Sequence, residues 1–362
     1  MTKGYLILET GEVFAGDWIG AKKEIAGEVV FNTSMTGYQE MMTDPSYAGQ
    51  ILTFCYPLIG NYGISADNGE SDQPAVSAVI SSEACDEPSH YESAASFSEE
   101  LKQAGIPGLT QVDTRALVAA IRKHRTVRGK LVFSNNDQSG GWGEQPAGAL
   151  VKGVSVTEPK VFGEGDEHIV LMDFGYKKSI LDYLVKQGCT VTVVPYHTTL
   201  EEIGHLDPDG VVLSNGPGDP MELEEIFPVI KGLTETYPTL GICLGHQLIA
   251  LAYGAETEKM PFGHRGGNHP VKDLFTKKVC MTSQNHGYVV KEDSLDHAVF
   301  EVQFRNVNDQ SLEGMRHVHL PVQSVQFHPE AHPGPSDTEY IFTEFIQQVA
   351  NAKGGAAYAE AK

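Results

Sequence analysis

The sequence predicts an α/β protein in two parts: a β-rich N-terminal domain, then a C-terminal domain built on a mostly parallel sheet flanked by helices. Three observations carry this expectation. Up to about residue 155, short apolar runs alternate with turn residues. From His168 onward, fully apolar strands alternate with amphipathic helical stretches, the rhythm of a parallel sheet covered on both faces. Between the two, Glu158 to Asp166 holds Pro159, Gly163 and Gly165 and no periodicity, which marks a boundary. The expected division is residues 1–155, a linker at 156–166, a second domain at 167–352 and a flexible tail at 353–362.

Composition bounds the function. A length of 362 residues suits two domains, and 41% hydrophobic with 20% charged residues is ordinary globular usage. A formal net charge of −22 argues against binding nucleic acid over a broad surface. No apolar run approaches the ~20 residues that span a bilayer, and the opening Tyr5-Leu-Ile-Leu8 reads as a first strand rather than a signal peptide. The five cysteines are scattered, odd in number and form no C-x-x-C pair. That speaks against a disulfide framework and a zinc site, and for a reducing, cytoplasmic setting.

In the N-terminal part, strands are expected at Tyr5 to Leu8, Val13-Phe14, Val29 to Phe31, Ile51 to Tyr56 and Ala75 to Ile80. Glu99 to Ala104 reads as a short helix ended by Gly105. Asp113-Thr114 caps a helix from Arg115 to about His124, with Leu117, Val118 and Ile121 on one face. Met35 to Tyr47 is polar and turn-rich, and by itself reads as a surface loop. The cluster Arg115, Arg122, Lys123, Arg125 and Arg128 reads as the solvated face of a helix, with a partner-protein contact as the sharper alternative. Asn135 to Gly148, with Trp142, reads as an irregular surface connection.

In the C-terminal part, His168 to Met172, Thr190 to Val194 and Gly210 to Ser214 are strands. Lys177 to Gln187 and the region around Glu222 to Leu233 are helices. Thr239-Leu-Gly-Ile-Cys-Leu-Gly-His-Gln then runs strand, tight turn, helix, with Cys243 at the apex. Gly-x-Cys-x-Gly has the layout of a nucleophile elbow, and its glycines leave the sharp turn free of Cβ atoms. The following helix aims its N-terminus at Cys243, which favours thiolate. Alone, the motif reads first as a buried structural cysteine, and a reactive one needs a base and a carboxylate from elsewhere in the chain.

Two further features converge on the carboxyl ends of the strands, where ligands sit in such sheets. Asn215-Gly-Pro-Gly-Asp-Pro220 is a tight turn, and also a rigid loop whose exposed N–H groups suit an oxyanion; Leu244 N–H is the natural second donor. The apolar strand Val322 to Phe327 delivers His328, with Glu330 two residues on, the pair that a thiol nucleophile needs for proton transfer and orientation. Gln284 and Asn285, with backbone near Gly287, suit recognition of an amino acid. A metal at His264, His269 and His286 lacks an evident carboxylate and spacing, so none is expected. Asp337 to Val349 is helical in pattern, and Lys353 to Lys362 has no core.

Gly241 to Gln247, Asn215 to Pro220 and His328-Pro-Glu330 resemble the triad-type, class I glutamine amidotransferases, which assigns that fold to the second domain. Gly27 to Glu40, Asp44 to Tyr47, Tyr56 to Asn61, Ile106 to Leu109, Asp113 to Arg115 and Ser283 to Gly287 resemble the small-chain family of carbamoyl-phosphate synthase, over about residues 4 to 350. The resemblance implies Cys243 as nucleophile, His328 as base then acid, and Glu330 as its orienting partner. It implies L-glutamine held by Ser46, Gly216, Gly218, Leu244, Gln247, Asn285, Gly287 and Tyr288. Because Ser46 comes from the N-terminal domain, it also implies that the polar 35–47 stretch is part of the glutamine site.

The resemblance further implies a large partner chain that receives ammonia and makes carbamoyl phosphate from bicarbonate. No G-x-x-x-x-G-K-[ST] stands in this sequence, so no cofactor is expected on this chain; ATP and Mg²⁺ are expected on the partner. Glu83 to Asp86, Ser89 to Glu92, Asp173 to Ser179 and Phe327 to Pro335 resemble the arginine-linked copy of bacilli that keep two such enzymes. An amidotransferase for another acceptor, a non-catalytic regulatory subunit and a free-standing cysteine hydrolase are the alternatives.

Overall fold

The computed structural model describes residues 2–136, 141–142 and 147–353. The chain divides into two compact units, Met1–Pro146 with Met260–Gly266, and Ala147–Lys259 with Gly267–Lys362.

The first unit is a closed seven-stranded barrel. Its strands run in the order Lys3–Leu8, Val13–Gly20, Pro107–Thr110, Ala78–Ile80, Gln50–Phe54, Ile25–Asn32 and Val127–Val132, the last pairing back onto the first. Closure removes the open edges a β-rich sequence must otherwise protect. Alternate residues such as Leu6 and Leu8 point inward and are buried. Helix Phe97–Gln103 starts at a capping box in which Ser96 and Glu99 exchange side-chain and backbone hydrogen bonds. Helix Thr114–His124 is capped by Asp113, whose carboxylate accepts from Ala116 N–H, and it buries Leu117 and Ile121. Of the basic cluster, Arg115, Arg122, Lys123 and Arg125 are exposed, as a solvated face requires, but Arg128 is half-buried in strand Val127–Val132 and is not on the helix.

Met35 to Tyr47 is not the plain surface loop its polarity suggests. It forms helix Tyr38–Thr43 and a 3₁₀ turn Pro45–Tyr47, and Tyr38, Gln39, Met41, Met42, Thr43, Ser46 and Tyr47 are all buried. Its polar groups bond within the unit. Tyr38 Oη donates to Gly63 O (2.6 Å), Gln39 exchanges both amide ends with the Ser65 backbone, and Thr43 Oγ1 donates to Gln39 O while accepting from Glu70 N–H. Polarity satisfied in this way no longer opposes burial.

The second unit carries a ten-stranded sheet. Five parallel strands form its centre, in the order Cys189–Pro195, Glu167–Asp173, Gly210–Leu213, Thr239–Ile242 and Val322–Val325. Successive residues of one strand enter opposite cores. Val170 and Met172 pack into one, Ile169 and Leu171 into the other, which explains why the run Ile169 to Met172 is apolar without alternation. Beyond Val322–Val325 the sheet continues antiparallel through Leu312–His317 and Phe300–Asn306. The 156–166 stretch, expected as linker, holds the edge strand Lys160–Phe162, antiparallel to Cys189–Pro195.

Around Glu222 to Leu233 the single expected helix is two pieces, the 3₁₀ helix Pro220–Ile226 and helix Phe227–Thr236, with Leu223 at non-helical φ −110°. Pro228 near the start of the second piece suits a helix beginning there. Helix Tyr340–Lys353 closes the unit. Lys353, expected to be frayed, is tied to Asp166 O and the Asp209 carboxylate, each at 2.8 Å. The rest of the expected tail, 354–362, lies outside the described residues.

Candidate active site

The elbow forms because strand Thr239–Ile242 ends where helix Leu244–Ala252 begins, with Cys243 alone between them. Cys243 sits at φ 53°, ψ −100°, a strained conformation for a residue with a side chain. The flanking glycines are required by contact. A Cβ on Gly245 would stand 2.2 Å from Leu213 O, and one on Gly241 would stand 2.7 Å from Ile249 Cδ1. The cysteine is 2% exposed.

The neighbouring parallel strand Val322–Val325 brings the histidine. Cys243 N–H donates to Val325 O (2.8 Å), so the two strands stay paired up to the apex. His328 N–H then donates to Ser283 O (2.9 Å), fixing the histidine against strand Val279–Val290. Its Nδ1 lies 2.6 Å from Glu330 Oε1. Nε2, the nitrogen turned away from the carboxylate, is also buried, and it is the atom that can share a proton with Cys243.

Charge is arranged around this pair. Burial alone would lower the His328 pKa, but the Glu330 carboxylate, helped by Cys243, outweighs it and holds the ring well above the ordinary imidazole range. Burial alone would raise Glu330; the charges of Lys177 and His328 outweigh it and hold the carboxyl below its usual range. Lys177 Nζ lies 3.2 Å from Glu330 Oε1 and donates to Ala331 O (2.5 Å), with the side chain almost fully buried.

Sequence reasoning gave Lys177 no role beyond opening an amphipathic helix, and in the structure it is the N-cap of helix Lys178–Lys186. The available signal was its place directly after a strand end, in Asp173-Phe-Gly-Tyr-Lys177. Asn215 fixes the strap between that segment and the glycine-rich loop: its Nδ2 donates to Gly175 O (2.9 Å) and its Oδ1 accepts from Lys177 N–H (3.2 Å).

Of the residues expected to hold glutamine in the second unit, Gly216, Gln247, Asn285 and Tyr288 make contacts with Cys243, its neighbour Leu244 or one another. Gly216 is held close to Leu244 and Phe174, where a Cβ would meet Phe174 O at 2.3 Å, and Gly218 takes φ +95°. Gly245 N–H donates to Ser214 O (3.1 Å), leaving Leu244 N–H as the next donor in line for an oxyanion. Cys243 Sγ lies 3.7 Å from Asn285 O. Gln247 Nε2 donates to both Tyr288 O and Gln326 Oε1, each at 2.9 Å. Gly287 lies between Asn285 and Tyr288 in the same strand. Ser46 lies in the first unit, where its N–H donates to Asp44 Oδ1 (2.9 Å).

The family model described as glutamine amidotransferase class-I matches residues 170–348, and that described as carbamoyl-phosphate synthase small chain, CPSase domain, matches residues 6–131. The chain is 52% identical to a protein of Bacillus subtilis named carbamoyl phosphate synthase arginine-specific small chain, over 99% of this chain and all of that one. Proteins of the same name from Geobacillus stearothermophilus and Halalkalibacterium halodurans are 53% and 51% identical, over 99% and 97% of this chain and 100% and 98% of theirs. An elbow cysteine beside a buried histidine–carboxylate pair, and relatives matched along nearly their whole length, lead to one conclusion: the chain belongs to the carbamoyl-phosphate synthase small-chain family, whose second region is a class I glutamine amidotransferase.

Proposed function

We propose that Cys243, His328 and Glu330 hydrolyse L-glutamine, and that the chain delivers the ammonia to a carbamoyl-phosphate synthase large chain. The observation that carries this is the pairing of the elbow strand with the histidine strand, which sets a strained thiol beside a buried, carboxylate-bound imidazole. Cys243 gives its proton to His328 Nε2 and attacks the side-chain amide carbon of glutamine. The oxyanion is met by Leu244 N–H and by the Gly216–Gly218 loop. His328 returns the proton to the leaving nitrogen, ammonia departs and a thioester remains. Water, deprotonated by His328, then releases glutamate and restores the thiol.

Glu330 keeps the imidazole oriented and favours its charged form. Both N–H groups of Gln247 are engaged within the protein, so Gln247 offers substrate its Oε1, an acceptor suited to the α-ammonium group. Asn285, Gly287 and Tyr288, on the strand beside Cys243 and Gln247, contribute the remaining contacts of the second unit.

The large chain supplies ATP, Mg²⁺ and bicarbonate chemistry, and this chain needs no cofactor of its own. No described helix is long and apolar enough to cross a membrane, and the scattered cysteines suit the cytoplasm. The names of the bacillus relatives support a role in arginine supply. The test is glutamate release by the purified chain, alone and with a large chain, bicarbonate and MgATP. Slow release that rises sharply with the partner, alongside carbamoyl phosphate, is expected. Fast release indifferent to the partner makes the protein a free-standing hydrolase.

A further inference from the structure

Gln326 is fully buried, two residues before His328, and the reaction as described above gives it no task. Its backbone N–H donates to Glu313 O, which keeps the end of the histidine strand in the sheet. Its side chain lies between the nucleophile and the residue assigned to substrate. Nε2 is 3.6 Å from Cys243 Sγ, and Oε1 accepts from Gln247 Nε2 at 2.9 Å.

The direction of this chain of bonds is fixed from its far end. Tyr288 O is a carbonyl and can only accept, so Gln247 must present its NH₂ there. The other N–H of the same NH₂ goes to Gln326, which must answer with Oε1. That turns the Gln326 NH₂ toward sulfur. The thiol therefore has two opposed neighbours. Asn285 O, at 3.7 Å, can only accept and so favours S–H. Gln326 N–H can only donate and so favours the thiolate.

We propose that Gln326 is a catalytic residue: its carboxamide donates to the Cys243 sulfur as the proton leaves for His328, and through Oε1 it sets Gln247 against the substrate. The inference rests on the reading of Cys243 as nucleophile. Loss of the proton turns Asn285 O from a partner into a repulsive neighbour, while the Gln326 contact strengthens. The sulfur is thereby released from one side and held from the other as it turns to attack. Gln326 also ties activation of the nucleophile to the residue that receives glutamine, so a shift of Gln247 on substrate binding reaches the sulfur through one side chain.

The test follows alkylation of Cys243 by iodoacetamide against pH in the complete chain, read at the level of the Cys243 peptide. Gln326→Met removes donor and acceptor. Gln326→Glu keeps the shape and the acceptor for Gln247 but places oxygen against sulfur. Both variants are expected to be alkylated about tenfold or more slowly at neutral pH, as loss of a hydrogen bond to a charged group implies, with the pH midpoint moved up. With the large chain present, Gln326→Glu lowers kcat for glutamine with KM near that of the parent, whereas Gln326→Met also raises KM.

An unchanged alkylation midpoint in both variants overturns the proposal and leaves Gln326 as a clamp for Gln247. If either variant unfolds, the parent chain decides: the Gln326 side-chain amide resonance should shift with pH in step with Cys243 alkylation, and no shift overturns the proposal. Failure of the underlying reading looks different. In that case Cys243→Ser retains glutamine hydrolysis, whatever Gln326 does.

Discussion

Two buried polar clusters of this protein have opposite designs. In the first unit, Tyr38, Gln39 and Thr43 enter the interior with their hydrogen-bonding groups matched to the backbone of Gly63, Ser65 and Glu70. In the second, Glu330 Oε2 is buried without a hydrogen bond, and the buried His328 Nε2 can share a proton with a cysteine in strained backbone geometry. Satisfied burial holds a fold together. Burial left open, next to strain and opposed charges, stores the capacity to move a proton and form a bond. Changes in the second cluster should therefore alter chemistry first, and changes in the first should alter stability first.

The largest expected effect is at the nucleophile. Cys243→Ser should lower glutamine-dependent carbamoyl phosphate synthesis by at least about a thousandfold while synthesis from free ammonia survives in the complex. Loss of both activities would break the assignment of tasks between the two chains.

Glu330→Gln comes next. It removes the charge that raises the His328 pKa and leaves the burial that lowers it, so His328 should hold a proton less readily. Glutamine hydrolysis is expected to fall by roughly a hundredfold to ten-thousandfold, and Cys243 alkylation near neutral pH should slow. The sign for stability is separate. The folded-state pKa of Glu330 lies below its unfolded value, so its stabilisation is complete above the ordinary carboxylate range and is lost as pH falls toward the lowered value. Thermal unfolding of parent and variant should therefore converge in acid; a constant gap would contradict the pairing.

Lys177→Met tests the residue behind the carboxylate. It leaves Glu330 buried with one cation fewer and should cost about 3 kcal/mol of stability, read by denaturant unfolding. Glutamine kcat should drop by about tenfold, the scale of one weakened charge contact, with KM little changed. A variant with altered stability and unaltered kcat would move Lys177 into the structural class.

The smallest effect sharpens the contrast from the other side. Thr43→Val strands the Glu70 N–H and should cost about 1–3 kcal/mol, with the pH profile of Cys243 alkylation the same as in the parent.

What could be read from the sequence follows the same division. The elbow, the glycine-rich loop and His328-Pro-Glu330 were legible because their chemistry demands rare residue types at fixed spacing. The parallel strands were legible because both faces are buried and their central runs, such as Ile169 to Met172 and Gly210 to Leu213, are apolar. The antiparallel strands Phe300–Asn306 and Leu312–His317 were not, because their exposed faces carry residues such as Glu301 and Arg316 that interrupt the apolar run. Tyr38–Thr43 was hidden because its burial depends on partners such as Gly63, Ser65 and Glu70, distant along the chain. Lys177 was hidden for a related reason: a lysine opening an amphipathic helix looks solvated until Glu330, far along the sequence, is placed beside it.

The central claim is that Cys243 performs the chemistry. Its most direct test is reaction of the intact chain with a glutamine-like electrophile, followed by mapping of the adduct by peptide mass spectrometry. The account predicts one adduct, on Cys243, formed in step with loss of glutamate release and prevented by excess L-glutamine. An adduct on Cys55, Cys85, Cys189 or Cys280 that tracks the loss of activity, with Cys243 unmodified, would contradict it.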